Sequence, residues 1–343
     1  MLFDSHSWPE LRSRLQAPGK AVLVTHKNPD GDALGSTLAL RHMLMHRLGW
    51  EAVVLVPDVA PTFLAYLPGF ETVQVFDSNP TAGTQLLTDA DLIACLDFNH
   101  PSRAGAMESL LNTLCRTKFS FMIDHHQMPE PFVTYMASDT SASSTCEMVY
   151  RFIAEMGFGP VLSREESMAI YTGIMTDTGS FRFSATKPET HRITANLLEA
   201  GIAHWTIHEH LFNQNTINKL QLWGNAFQHS LTRLPKMRVT RMAVDAETLE
   251  RFAYEEGDLE GLVNFGLSIK GTVMTALFSE RKGKIRISFR SVGAFSVNQF
   301  SRNHFGGGGH DNAAGGVFEG SLEAALAHFD ASVLAYSELY EVQ

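Results

Sequence analysis

Ala21-Val22-Leu23-Val24-Thr25-His26-Lys27-Asn28-Pro29-Asp30-Gly31-Asp32-Ala33-Leu34-Gly35-Ser36 decides the fold of this chain. Residues 21–25 are a short Val/Leu-rich run, the mark of a strand buried on both faces of a parallel sheet. Asn28-Pro29 blocks helix continuation, and Gly31 relaxes the backbone between two carboxylates. Gly35-Ser36 and the spaced apolar residues Leu38, Leu40, Leu44 and Leu48 then read as a helix. Polar residues at the C-terminal end of a parallel strand lie where open α/β sheets take their ligands. His26, Asp30 and Asp32 put one imidazole and two carboxylates there. That mix suits a hard or borderline divalent cation such as Mn²⁺ better than a thiolate-bound zinc. A plainer reading, in which the Asp side chains only cap the helix, stays open at this point.

Outward from that stretch, the first half alternates short apolar runs with amphipathic segments, the pattern of a parallel sheet wrapped by helices. Strands are expected at Ala21–Thr25, Ala52–Val56, Thr72–Phe76, Asp91–Asp97 and Phe119–Asp124. Helices are expected at Leu34–Leu48, Ser143–Met156, Arg164–Met175, Pro188–Ala200, Ala203–Phe212 and Thr216–His229. The last of these reads as a bridge to a second domain, with the boundary near Leu231–Lys236. That domain mixes strands (Arg238–Val244, Thr272–Ser279, Lys284–Ser291), a Gly-rich turn and a final helix from Leu322 to about Tyr340.

Three further element ends carry chemistry. The apolar run 91–96 closes on Asp97, and a carboxylate ending a buried strand is costly to desolvate unless a cation or donor awaits it. The run Phe119-Ser120-Phe121-Met122-Ile123 closes on Asp124-His125-His126. Side chains alternate along an extended segment, so one His can ligate a metal while the other faces substrate. Asp124 is then placed to hold a ring N–H and fix its tautomer. The helix ending Tyr171-Thr172-Gly173-Ile174-Met175-Thr176 runs into Asp177 and a Thr-Gly turn. Four separate element ends with acids or imidazoles are most economically read as a two-metal hydrolase site.

His26-Lys27-Asn28-Pro29-Asp30-Gly31-Asp32, Asp97, Asp124-His125-His126 and Asp177 together resemble the four motifs of the DHH phosphoesterase superfamily. The resemblance implies an α/β first domain with a parallel sheet carrying two Mn²⁺ (or Mg²⁺) ions. It implies that His26, Asp30 and Asp177 hold one metal, that Asp32 and His125 hold the second, and that Asp97 bridges both. His126 would face the scissile phosphate or the attacking water, making His126, Asp97 and Asp124 the catalytic set. None of these positions departs from the family pattern.

In the second domain, Phe305-Gly306-Gly307-Gly308-Gly309-His310-Asp311-Asn312-Ala313-Ala314-Gly315-Gly316 resembles the Gly-Gly-Gly-His and Ala-Ala-Gly signature of the DHHA1 substrate-binding domain. Successive glycines let backbone N–H groups converge on an anion, and the Ala-rich sequence that follows is compatible with helix. Upstream, Lys284–Ser291 alternates, with Ile285, Ile287 and Phe289 on one face and Arg286, Ser288 and Arg290 on the other. Arg290 suits a bidentate phosphate clamp. The family comparison points to Arg290, Ser291, His310, Gly307, Gly308 and Gly309 as substrate-binding residues.

The match spans residues 15–230 and 236–343. The expected organisation is therefore a catalytic domain with helical linker at 1–230, and a smaller α/β substrate-binding domain at 236–343. Length and layout resemble the nanoRNase/pAp-phosphatase branch. That branch implies exonucleolytic hydrolysis of short oligoribonucleotides, and of 3′-phosphoadenosine 5′-phosphate (pAp) to AMP. Two alternatives stay open: a phosphodiesterase for linear or cyclic dinucleotides such as pApA and c-di-AMP, and a non-catalytic nucleotide-sensing protein. No G-x-S-x-G elbow points to a serine hydrolase.

Composition sets outer bounds. The 343 residues, 44% of them hydrophobic and 19% charged, are enough for two cores of soluble type. A net charge of -10 argues against a long groove for duplex nucleic acid, though metal ions would reverse the sign locally. Cys95, Cys115 and Cys146 show no C-x-x-C spacing, so neither a disulfide framework nor a zinc knuckle is expected. Residues 1–20 carry no apolar stretch of signal-peptide type, and no run approaches a membrane span. The expectation is a cytoplasmic protein without a membrane partner, and an exposed apolar strand or helix would support a homodimer.

Overall fold

The computed structural model describes residues 2–341. The chain divides into two compact units, Met1–Gln214 and Asn215–Gln343. In the first unit, strands β1 (Lys20–Val24), β2 (Glu51–Val56), β3 (Gln74–Val75), β4 (Leu92–Leu96), β5 (Phe119–Asp124) and β6 (Tyr135–Ser138) form one sheet. Its order is β3-β2-β1-β4-β5-β6 and every pairing is parallel. The order reverses between β1 and β4, so the crevice beyond their C-terminal ends is the topological switch point where such sheets bind ligands.

The strands are apolar on both faces because both faces are covered. Leu23, Val54, Ala94, Phe121 and Ile123 enter one buried cluster. Val22, Val24, Ile93, Cys95 and Met122 enter another. Phe121 is wholly buried, and truncating it to Ala is expected to cost about 3–5 kcal/mol. The third expected strand is cut to two residues by a preceding 3-10 turn at Phe70–Thr72, and β6 was not foreseen.

The helix Gly31–Leu48 starts at the end of the opening stretch, where Asp30 Oδ1 accepts from the amides of Asp32 and Ala33 at 3.0 Å each. It lies close against the helix Arg164–Asp177. A Cβ on Gly31 would fall 2.5 Å from Thr176 Oγ1, and one on Gly173 would fall 2.8 Å from Asp32 Oδ1. These two glycines therefore permit the approach that brings the first motif to Asp177.

The second unit has a mixed sheet, order β11-β12-β10-β9-β8-β7, antiparallel except for β8 with β9. The strands are β7 (Thr232–Arg233), β8 (Val239–Val244), β9 (Met274–Arg281), β10 (Lys284–Ser291), β11 (Gly308–His310) and β12 (Ala313–Phe318). Phe278, Phe289, Phe300 and Phe329 pack on one face with the helices Val297–Phe305 and Leu322–Val333. The helix Ile217–His229, expected as a linker, buries Leu222 and Ala226 with Met242 and Leu277 in this unit.

Two other expectations are corrected here. The Ala-rich sequence after the glycine run is strand β12, not helix. Its small residues suit a strand closely overlain, since a Cβ on Gly316 would meet Phe305 Cβ at 2.7 Å. The final helix stops at Val333, followed by a 3-10 turn at Ser337–Leu339. Cys95, Cys115 and Cys146 are free and buried. Among the described residues no helix is long and apolar enough to cross a membrane.

Candidate active site

The ends of β1, β4 and β5, the start of the helix Gly31–Leu48 and the end of the helix Arg164–Asp177 bring one cluster together. His26 Nε2 lies 3.3 Å from Asp97 Oδ2. His125 Nε2 lies 3.4 Å from Asp177 Oδ2, 3.7 Å from Asp97 Oδ1 and 3.8 Å from Asp32 Oδ2. His26, Asp30 and Asp97 form one group able to hold an ion, and Asp32, Asp97 and His125 form another. Asp97 belongs to both. Asp177 falls in neither tight group and stands beside His125, whereas the family pattern pairs it with His26 and Asp30.

The backbone aims these side chains. Asp97 has φ +66°, a left-handed conformation costly for a residue with a Cβ, taken up directly after β4. The His26 ring nitrogen Nδ1 is 2.8 Å from the Lys27 carbonyl. Donation there orients the ring and makes Nε2 the atom that faces Asp97. His126 is held in the same way, with Nδ1 2.7 Å from Asp124 Oδ1 and its amide donating to Asp124 Oδ2 at 3.1 Å. Asp124 is wholly buried, and the orienting contact expected for it is present.

Electrostatics describe a place built for cations. Burial raises the Asp32 and Asp177 carboxyls well above their ordinary range, and the Asp97 charge adds to both. For Asp97 burial acts in the same sense, but the His26 hydrogen bond and the charges of His126, His26 and His125 carry it below the usual range. Burial opposes charging His26 and His125, yet the surrounding carboxylates outweigh it and raise both. Crowded carboxylates in a buried pocket are relieved by multivalent cations, and an O/N donor set without sulfur suits Mn²⁺ or Mg²⁺. The residues present fit divalent cations of that kind.

Two contributors escaped the sequence reading. The first turn of the helix Thr145–Ile153 clamps Asp32: the Thr145 amide donates to Oδ2 at 2.7 Å and the Cys146 amide to Oδ1 at 2.8 Å. The Thr145 hydroxyl donates to Asp97 Oδ1 at 2.9 Å. Ser143-Ser144-Thr145 had been legible only as a helix start, a role that Ser144 fills by capping Glu147. Arg103 is the second. Its charge acts on His26 and Asp177, and its buried Nη1 has no hydrogen-bond partner.

In the second unit, β10, β12 and β11 place Arg290, Ala313 and His310 in one cross-strand row. Residues in one row share a face, so Arg290 and His310 project together, about 10 Å apart along the sheet. Arg290 is half-buried, and burial pushes its guanidinium pKa down. Its Nη1 donates to the Phe289 carbonyl at 2.9 Å, and among the described residues no carboxylate pairs with it.

Ser291 is turned inward, donating to the Phe295 carbonyl at 2.6 Å and accepting from Asn312 at 2.9 Å. The glycine amides do not converge on open space as expected. Those of Gly306 and Gly307 donate to the Ser301 carbonyl, and that of Gly309 donates to Asn298 Oδ1 at 3.1 Å. Gly307 and Gly309 are needed for packing instead, since a Cβ would sit 1.8 Å from the Gly315 carbonyl oxygen at the first and 2.4 Å from the Ala313 carbonyl oxygen at the second.

The model of the DHH family N-terminal domain matches residues 20–174, and that of the DHHA1 domain matches residues 239–335. The bifunctional oligoribonuclease and PAP phosphatase NrnA of Thermus thermophilus is 31% identical over 303 residues, 88% of this chain and 85% of that one. The protein of the same name from Bacillus subtilis is 28% identical over 297 residues, 86% of this chain and 88% of that one. The crystal structure of an exopolyphosphatase-related protein from Bacteroides fragilis superposes with a TM-score of 0.91 at 35% identity, covering 96% of this chain and 95% of that one. Fold and site define a DHH-type phosphoesterase. The chain belongs to the DHH/DHHA1 phosphoesterase superfamily, in its NrnA-like branch.

Proposed function

We propose that this phosphoesterase uses two divalent cations, Mn²⁺ or Mg²⁺, to release mononucleotides from short oligoribonucleotides, and that it also removes the 3′-phosphate of pAp. The observation that carries the reading is the meeting of His26, Asp30, Asp32, Asp97, His125 and Asp177 at the switch point of the sheet. The substrate class is supported by the relatives of bifunctional name, aligned over most of both chains.

His26, Asp30 and Asp177 would hold one cation, Asp32 and His125 the other, and Asp97 both. When bound, such ions acidify water and neutralise phosphate charge. His126, its Nδ1–H held by Asp124, takes or returns a proton at Nε2 beside the reacting phosphate. Arg290 and His310, on one face of their sheet, recognise a substrate phosphate. Ser291 and the glycines support this pair through packing rather than by contact. The wholly buried Asp124 keeps the His126 ring from turning.

The test is Mn²⁺-dependent turnover of 5′-labelled oligoribonucleotides, from dinucleotides to strands several times longer, with pAp, c-di-AMP and pyrophosphate alongside. Fast cleavage of the shortest strands, with a steep fall at length and hydrolysis of pAp, is the expected result. Activity sustained on long strands, or confined to c-di-AMP or pyrophosphate, would overturn the substrate assignment. Absence of turnover on all of them would return the chain to a nucleotide-sensing role.

A further inference from the structure

Thr145 touches both carboxylates that the two metal groups depend on, and it does so with two different atoms. Its amide donates to Asp32 Oδ2 at 2.7 Å, and its hydroxyl donates to Asp97 Oδ1 at 2.9 Å. All three residues are buried, Thr145 at 0%, Asp32 at 1% and Asp97 at 2% exposure. Bulk water therefore does not substitute for either contact.

The consequence is geometric. A carboxylate oxygen has two lone pairs in its plane. The amides of Thr145 and Cys146 occupy one lone pair on each Asp32 oxygen, which fixes the plane of that carboxylate and leaves the remaining lone pairs for an ion. On Asp97 the Thr145 hydroxyl occupies one lone pair of Oδ1, while Oδ2 faces His26 at 3.3 Å. Rotation about the Asp97 Cβ–Cγ bond would break the hydroxyl contact. Each oxygen is thereby kept on its own side, Oδ2 toward the His26 group and Oδ1 toward the His125 group.

The support behind Thr145 is itself ordered. Ser144 caps the helix Thr145–Ile153 by accepting from the Glu147 amide at 3.0 Å. The Glu147 carboxylate, 3% exposed, accepts from the Ser143 hydroxyl at 2.6 Å and the Thr190 hydroxyl at 2.7 Å. The turn that presents Thr145 is therefore anchored to the helix Pro188–Glu199, away from the cluster.

We infer that Thr145 is a positioning residue of the metal centre: its hydroxyl holds Asp97 in the rotamer that lets one carboxylate serve two ions at once. The inference rests on the two-metal reading above. Outer contacts of this kind are typically worth about 10–100-fold in metal affinity or activity.

Mn²⁺ binding is measured by isothermal titration calorimetry on wild type, Thr145→Val, Thr145→Ala and Thr145→Ser, with the metal-free melting temperature of each taken in parallel. Val keeps the shape and the backbone amide but loses the hydroxyl, and Ser keeps the hydroxyl. Val and Ala are expected to weaken the tighter Mn²⁺ step by about 10–100-fold, or to lose one of two equivalents. Ser is expected to restore both steps. Should Val and Ala fail to fold, the Ser variant still decides: loss of Mn²⁺ affinity in a folded Ser variant, which keeps the hydroxyl, would overturn the proposal. Wild-type affinity and stoichiometry in Val would overturn it too. If wild type itself binds no Mn²⁺, the two-metal reading fails and not only the part given to Thr145.

Discussion

The two units each keep an imbalance of charge, with opposite signs. At the switch point of the parallel sheet, Asp32, Asp97 and Asp177 are crowded together, and two of the three are pushed up by burial and by one another. On the sheet of the second unit, Arg290 is half-buried with no acidic partner among the described residues. Each arrangement costs folding free energy, because a buried charge without a counter-charge is poorly solvated. A fold keeps such imbalances where a ligand removes them. On the proposed reading the acidic cluster takes cations and the Arg290 guanidinium takes an anion.

The comparison breaks most sharply at Asp97. Asp97→Asn removes the charge shared by both metal groups while keeping the shape. The expected result is loss of Mn²⁺ binding and a fall in turnover of about 10³-fold or more. Steady-state kinetics with metal titration check it. Near-normal turnover would show that Asp97 is not the shared ligand and that the cluster's crowding has another cause.

Glu166 sharpens the comparison from inside the first unit, because it is a buried carboxylate whose partners are all present. Burial raises it, but a hydrogen bond from His42, two from Arg47 and the Ser163 amide outweigh that and hold it down at about 2. Arg47 grips it with Nε at 3.0 Å and Nη2 at 2.5 Å. A depressed folded-state pKa stabilises above the unfolded value, near 4.5, and that stability is lost as pH falls toward 2. Glu166→Gln is therefore expected to cost about 3 kcal/mol at neutral pH, with the gap to wild type closing between pH 4.5 and 2. Urea unfolding at several pH values measures it. Mn²⁺ binding should be unchanged in the folded variant, since Glu166 belongs to neither metal group.

How much of this was legible depended on how local the cause is. β1, β4 and β5 were readable because strands buried on both faces must be apolar throughout, and Asp97 and Asp124 interrupt that rule at its end. The cluster of acids and imidazoles proposed to hold metal was legible from those interruptions and from the family motifs. The β11–β12 hairpin was not readable, since Gly and Ala carry little strand preference and the pairing is set by β10 and by Phe305 above it. The glycine run misled for the same reason. An anion nest and a close-packing requirement demand the same residue, and only the partners of the Gly307 and Gly309 amides tell them apart. Thr145 was invisible as a contact because it lies 113 positions from Asp32 in sequence. The helix Ile217–His229 read as a bridge because a polar helix surface resembles a linker until Leu222 and Ala226 are seen against Met242.

Arg290 gives the smallest effect and the cleanest separation of the two regions. Its place in the row with Ala313 and His310 is set by strand register, so shortening its side chain leaves the sheet intact. Arg290→Ala is expected to weaken substrate binding by about 10–100-fold, roughly 1.4–2.7 kcal/mol, through the Michaelis constant more than through turnover. Arg290→Lys keeps a positive charge but loses the planar fork, and is expected to recover only part of that loss. Mn²⁺ affinity should stay at the wild-type value in both, because no metal group includes a residue of β10. A fall in turnover with an unchanged Michaelis constant would move Arg290 from recognition of a bound phosphate to the reacting one. Its uncompensated charge would then be balanced in the transition state rather than on substrate binding.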